Sequence, residues 1–252
     1  MATKETSAEI KIDAINTETI SFCVVGDSPL IMNRLAAKAQ QQLLLPPLRK
    51  NATERATTLK HNPYDEFLDS AHTLEEGDTL LAMQATSFKK AMLTAALDLP
   101  GTKKSQMGRL MYVNDEMVGI YGVPEIFCSV VRNSDINRTP DVRTRLIVPK
   151  WAAKLVVTFT TPLLSQAAVA NLLNAAGIIA GVGDFRSEKG AGRFGAFRIV
   201  RPDDAEFLRI VKAGQRAAQE KAMKAPAPYN GETSELLGWF NTEAKRRNLK
   251  AA

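Results

Sequence analysis

Hydrophobic and polar positions alternate over Glu18–Val25, and β-forming residues gather again over Ala153–Thr160, which with Arg143–Val148 makes the clearest pair of strands. A period of two sends neighbouring side chains to opposite faces, so both segments read as strands with one buried face. Arg143–Val148 reads as a third strand, and Ala196–Val200 as a short last one. Helical spacing takes over elsewhere. Phe88, Ala91, Met92 and Ala95 recur at i, i+3, i+4 and i+7, predicting a helix over Phe88–Leu97 with Thr86 or Ser87 as its cap. Val169, Leu172, Leu173 and Ala176 make the apolar stripe of another, over Ser165–Ile178. Leu30–Leu43 reads as a helix, or a turn and then a helix, stopped by Pro46-Pro47.

The remaining segments are less regular. Residues 1–17 are polar and read as a loose arm. Residues 48–78 are polar, carry both histidines and look inserted. Thr79–Gln84 is a short strand. Residues 101–142 hold Leu110–Val113, Gly119–Gly122 and Ile126–Val131, short strands joined by turns and including a hairpin. Beyond Pro202 the composition shifts to Ala, Lys, Arg and Glu. It predicts one helix over Asp203–Lys224, a break at Pro226-Ala-Pro228, and a second helix over Ser234–Leu249. The order of elements from 18 to 200 predicts an α+β protein. Its core would be ferredoxin-like or RRM-like, a modified βαββαβ unit, carrying insertions and a C-terminal helical tail over 201–252.

One stretch stands apart, Gly181-Val-Gly-Asp-Phe-Arg-Ser-Glu-Lys-Gly-Ala-Gly-Arg-Phe-Gly195, immediately before the last strand. Glycine adopts positive φ and permits close backbone approach. With Arg186, Lys189 and Arg193 interleaved, Gly181, Gly183, Gly190 and Gly192 can lay backbone N–H groups and cations against phosphates. A glycine-rich hairpin that only turns the chain is the alternative. No G-x-G-x-x-G opens a helix and no G-K-[ST] is present, which excludes the dinucleotide fingerprint and the nucleotide P-loop.

Charge sharpens this picture. The 252 residues carry 33 Lys and Arg against 27 Asp and Glu, a formal charge of +6. The excess gathers in Arg132, Arg138, Arg143, Arg145 and Lys150, and in Arg186, Lys189, Arg193, Arg198 and Arg201. Two basic stretches on separate segments suggest a phosphate-binding groove. Lys89 and Lys90 are placed in the first turn of a predicted helix, where the helix dipole disfavours cations, so they point either to a nearby anion or simply to solvent. Phe185, Phe194 and Tyr112 are candidates for stacking on bases. Phe194 can equally be a core residue, and Phe197 is read as core.

Catalytic chemistry is not legible. His61 and His72 lack companion ligands at metal spacing, and the acidic groups Asp65, Glu66, Asp69 and Glu75, Glu76, Asp78 read as acidic faces. The sequence therefore predicts no enzyme, no metal and no cofactor. Cys23 and Cys128 read as buried thiols of a cytoplasmic protein. The N-terminus lacks an apolar signal region, and no apolar run reaches the ~20 residues of a membrane span.

The chain resembles the RAMP superfamily, most closely the backbone subunits of CRISPR effector complexes that line up along guide RNA. Met83-Gln-Ala-Thr-Ser-Phe-Lys-Lys-Ala-Met-Leu-Thr-Ala-Ala96 looks like the segment in which a small or hydroxyl residue precedes a basic helix start. Gly181-Val-Gly183 and Gly190-Ala-Gly-Arg-Phe-Gly-Ala-Phe197 look like the glycine-rich loop before the last core strand. Ser28-Pro-Leu-Ile-Met-Asn-Arg34 looks like the loop after the first strand. The chain departs from the family in its short insertion and its Ala/Lys-rich tail, as a compact relative from a phage or mobile element would. The resemblance implies a non-catalytic protein that oligomerises along single-stranded RNA or DNA. Its ligand contacts would come from Lys89, Lys90, Arg143, Arg145, Gly181, Gly183, Phe185, Arg186, Lys189, Gly190, Gly192, Arg193 and Phe194. The competing class is a structural or regulatory protein that assembles through its C-terminal helices.

Overall fold

The computed structural model describes residues 14–45, 59, 61–132, 138–189 and 192–247. The chain folds as a mixed α+β protein with two antiparallel sheets. The larger is built on strand β1 (Asn16–Gly26), whose alternation sends Phe22 and Val24 to one face and Cys23 and Val25 to the other. β1 pairs along its length with β9 (Ala152–Thr161), which places Phe22 opposite Leu155 and Val24 opposite Ala153. β10 (Phe197–Val200) closes the far side of β1. The other edge of β9 is shared by β5 (Met111–Val113) and β6 (Met117–Tyr121). From β6 the sheet continues through β4 (Leu81–Gln84) to β3 (His72–Thr73).

The second sheet is β2 (Leu30–Met32), β8 (Pro140–Val148) and β7 (Glu125–Arg132), in that order. Strands β8 and β9, adjacent in sequence, thus lie in different sheets. Between them Trp151 is fully buried, and its indole N–H donates to the Ser28 carbonyl at 2.9 Å. A Cβ at Gly26 would meet that ring at 2.0 Å, so the chain can turn past the indole only with glycine there.

Helices α3 (Ala85–Asp98) and α5 (Gln166–Ile179) pack side by side on the Phe22/Val24 face of the large sheet. The apolar stripes read from the sequence are the buried ones: Phe88, Ala91, Met92 and Ala95 on α3, and Val169, Leu172, Leu173 and Ala176 on α5. Ser165 caps α5 by accepting the Ala168 N–H.

Several elements differ from the sequence expectation. Leu30–Met32 is a strand rather than the start of a helix, and α1 covers only Ala37–Leu44. An apolar triplet is too short for periodicity to decide, and pairing with Leu146–Val148 decides it. Helix α2 (Pro63–Asp69) lies in the inserted region, tied to β8 by His61, whose Nδ1 is 2.6 Å from Glu66 and Nε2 3.0 Å from Asp141. Helix α3 begins at Ala85, directly out of β4, because the Ala85 N–H is still bonded to Glu116 across the sheet. Thr86 and Ser87 therefore lie inside the helix and cap nothing, and Lys89 and Lys90 fall in its second turn. Lys104–Leu110 is a helix, α4, within the region read as strands. Of the cysteines, Cys128 is buried but Cys23 is only half-buried, on the far face of β1.

The tail holds three helices where two were expected, the first of the two being divided. It comprises α6 (Ala205–Ala213), α7 (Arg216–Lys224) and α8 (Gly231–Arg246). The break falls at Gly214, where a Cβ would lie 2.0 Å from the Gly122 nitrogen. Phe207 and Ile210 of α6 pack on Val25, Tyr121 and Ala152, so this helix covers part of the sheet face opposite α3 and α5. In α7, Gln219 is fully buried. Its Oε1 accepts the N–H groups of Leu80 (2.7 Å) and Leu81 (3.0 Å). Its Nε2 faces the carbonyls of Ile120 (2.7 Å), Gly122 (3.0 Å) and Gly214 (2.9 Å). Among the described residues no helix is long and apolar enough to cross a membrane.

Candidate functional site

The glycine-rich stretch leaves α5 and runs back across the end of β2 before entering β10. Its glycines are required by the loop's own packing. Gly181 (φ 70), Gly183 (φ 85) and Gly195 (φ 70) all occupy the left-handed region. A Cβ on Gly183 would sit 2.5 Å from the Ile31 carbonyl, and one on Gly192 2.2 Å from that of Phe185. Backbone bonds from Asp184 N–H to Ile31 (2.9 Å) and Gly195 N–H to Pro29 (2.8 Å) hold the loop to the second sheet, and Val182 N–H to Gly195 (2.9 Å) ties its two ends together. The close approach that Gly183, Gly192 and Gly195 permit is thus to neighbouring backbone.

Beneath the loop lies a cleft of about 290 Å³, bounded by the end of β2, the start of α3 and Gly181–Asp184. It gathers Lys90, Gly181, Gly183 and Arg186 from the sequence-predicted set, with Ser87, Asn33, Gln84 and His72. Arg186 is anchored: its Nη1 donates to the Gly183 carbonyl (2.9 Å) and its Nε to Glu188 (3.0 Å). Lys90 is exposed. Burial and the nearby Arg34 cation hold the His72 imidazole below its ordinary pKa.

A second group lies on the outer face of the β2–β8–β7 sheet. Phe127 on β7 is directly opposite Arg145 on β8, one alternate pair along from Ser129 and Arg143. Four half-buried rings form a continuous strip there. Phe185 meets Phe194 with centroids 6.5 Å apart, Phe194 meets Phe127 at 6.4 Å, and Phe127 meets Tyr229 edge-on at 5.5 Å. Phe185 takes φ 51, rare for a bulky residue. The Asp184 carboxylate, accepting its N–H at 3.0 Å, holds it there. Arg145 joins strip and cleft, its Nε 3.7 Å from Asp184. Burial draws the Arg145 pKa down, against the opposing pull of Asp184.

The structure thus divides the predicted residues. Lys90, Gly181, Gly183 and Arg186 share the cleft, while Arg143, Arg145, Phe185 and Phe194 share the aromatic face. Arg193 is exposed beside Phe194, and Gly192 packs on Phe185. Lys89 is half-buried and does not line the cleft. Gly190 and the Lys189 side chain lie outside the described residues. Two other cations of the basic stretches are internally paired, Arg198 with Asp27 and Glu206 and Arg201 with Asp203, while Arg132, Arg138 and Lys150 are exposed. In the tail, Arg246 and Arg247 both bond Glu243 and hold its carboxyl at about 2.

Sequence reasoning missed Phe127 and Tyr229. The phase of β7 held a signal for the first, since Ile126 and Cys128 face the core and Phe127 must face outward. Tyr229 reaches the strip because its N–H bonds to the Ile126 carbonyl at 2.9 Å, along the edge of β7.

No protein-family model and no curated protein matches the chain.

Proposed function

We propose that this chain is a non-catalytic single-stranded nucleic-acid-binding protein that oligomerises along its ligand, in the manner of a CRISPR-effector backbone subunit or a phage strand-coating protein. The observation that carries the reading is the strip Phe185–Phe194–Phe127–Tyr229 laid beside Arg143 and Arg145, with Arg193 exposed next to Phe194 and Lys90 exposed in the cleft that Asp184 also lines. Aromatic faces stack on bases whatever their sequence, and neighbouring cations hold the phosphates. The strand order β10-β1-β9-β5, with α3 and α5 on one face, supports the ferredoxin-like or RRM-like core that accompanies this reading.

Fluorescence anisotropy with labelled RNA and DNA single strands of equal sequence tests it, at low and at high salt. Binding is expected to weaken steeply with salt, with a logarithmic slope near −0.7 for each phosphate neutralised on a single strand. Lys90→Glu with Arg193→Glu is expected to weaken binding on the order of tenfold at low salt and to flatten that slope. Lack of binding to either strand at low salt would sink the proposal. Phe127→Ala, probing a residue on the strip, is expected to weaken binding by about 1–3 kcal/mol at every salt concentration. An unchanged affinity would remove the strip from the interface.

One observation favours assembly through protein contacts instead. Trp239 on α8 is 66% exposed and lines an apolar groove of about 340 Å³ with Pro63, Val142, Leu236 and Phe240. Assembly through that face would survive high salt, whereas phosphate binding would not.

A further inference from the structure

We propose that the cleft beneath the glycine-rich loop is a subsite for one unstacked nucleobase of the bound strand, and that it prefers bases bearing an exocyclic amine. This rests on the nucleic-acid reading above and adds a source of sequence preference to it. The cleft is at the small end of the range for ligand pockets. Met32 and Met83 form apolar walls, both buried, and thioethers make favourable contacts with aromatic rings. Around them stand neutral hydrogen-bonding side chains. Asn33, Gln84 and Ser87 line the cleft with no side-chain hydrogen bond to another described residue.

Charge argues against a phosphate inside. The cations Lys90 and Arg186 share the lining with the carboxylates Asp184 and Glu188. Both carboxylates already have partners, Asp184 in Arg145 and Glu188 in Arg186 and Thr94. An anion entering the cleft would find little net positive potential, while a neutral, flat ligand meets no penalty. His72, held below its usual pKa, presents a neutral imidazole with one donor and one acceptor nitrogen. The carboxylate oxygens are acceptors only, and an amino group on the base edge is the donor that suits them. Uracil and thymine carry a carbonyl oxygen where cytosine carries that amine, and would set oxygen against oxygen.

Position links cleft and strand. Asp184 lines the cleft and the next residue, Phe185, begins the aromatic strip, so a strand stacked on the strip passes the cleft mouth. Lys90, exposed, is at the rim, where the phosphate of an inserted nucleotide would remain.

The test compares oligocytidine with oligouridine of equal length, two weakly stacked pyrimidine strands that differ at this edge. The full chain is expected to bind oligocytidine about tenfold more tightly, the discrimination of one good base-edge contact. Ser87→Trp, which fills the cleft, is expected to abolish the preference and leave the salt-sensitive affinity for oligouridine unchanged. Gln84→Ala, at an exposed position with no capping bond to lose, is expected to narrow the preference and serves if the tryptophan variant fails to fold. Equal, salt-sensitive binding of both strands by the unmodified protein would overturn the subsite and leave the nucleic-acid reading standing. Absence of binding to either would overturn both. A preference that persists in folded Ser87→Trp would place base recognition elsewhere and overturn the subsite. Free cytidine monophosphate that erases the preference without displacing the strand would assign the cleft to free nucleotides, which also overturns it.

Discussion

Gln219→Ala is expected to lower the unfolding free energy by about 4 kcal/mol or more, a loss at the upper end for single substitutions. The reason lies in what one amide reaches. Gln219 satisfies the N–H groups of Leu80 and Leu81 at the start of β4, and it faces carbonyls from β6, the following turn and the α6–α7 junction. Alanine would strip the Leu80 and Leu81 N–H groups of this acceptor and take a donor from the Ile120 and Gly122 carbonyls, while the Gly214 carbonyl keeps the Gly122 N–H, at about 1–3 kcal/mol for each buried group left unpaired. Gln219→Glu gives the sharper result. The introduced carboxyl keeps two N–H donors but sets a second oxygen against three carbonyls, out of water. Its folded pKa must therefore rise above the unfolded value of about 4.3. A raised folded pKa means that the contribution is complete below the unfolded pKa and is lost as pH rises through the folded one. Urea denaturation is expected to find the stability difference between this variant and the parent protein smaller near pH 4 than at pH 8. A loss below about 1 kcal/mol for the alanine variant would show that the buried amide adds little to the union of tail and sheet.

That result bears on how much of the fold the sequence discloses. Alternation in Glu18–Val25 and Ala153–Thr160 was legible because one face of each strand is buried, and the stripe of α5 was legible for the same reason. Gln219 was not, because Arg-Ala-Ala-Gln-Glu-Lys has the composition of a solvated helix face and only tertiary contact makes the glutamine a core residue. The single helix expected over Asp203–Lys224 failed likewise. One glycine in a helical run is weak local evidence of a break, and the contact that forces it, with Gly122, comes from ninety-two positions earlier in the chain. The candidate site divides along the same line. The loop was visible from its glycines, as were the cations around it, since both are local in sequence. Glu188, which neutralises Arg186, is local as well, but the pairing of Arg198 with Asp27 could not be assigned, nor could the meeting of Phe127 with Phe194 and Tyr229, because these depend on contacts between distant segments.

Gly195→Ala is the substitution that separates the two reasons a loop has for being rich in glycine. A Cβ at this position would lie 1.7 Å from the Val182 carbonyl oxygen, and the backbone is at φ 70. The same residue donates to Pro29 and accepts from Val182, so relief of the clash must break the bonds that seat the loop on β2. The expected loss is about 3 kcal/mol or more, from backbone strain together with those bonds. Gly238→Ala is the matched control. It lies on the exposed face of α8 with nothing near the added methyl, and in a helix interior alanine is favoured by up to about 1 kcal/mol. Melting curves and strand-binding titrations on both variants read the outcome together. Were the glycine present chiefly to admit a ligand backbone, Gly195→Ala would keep its melting temperature and lose binding. The geometry predicts the other order, with stability falling first and binding failing because the cleft and the Phe185 end of the strip lose their support.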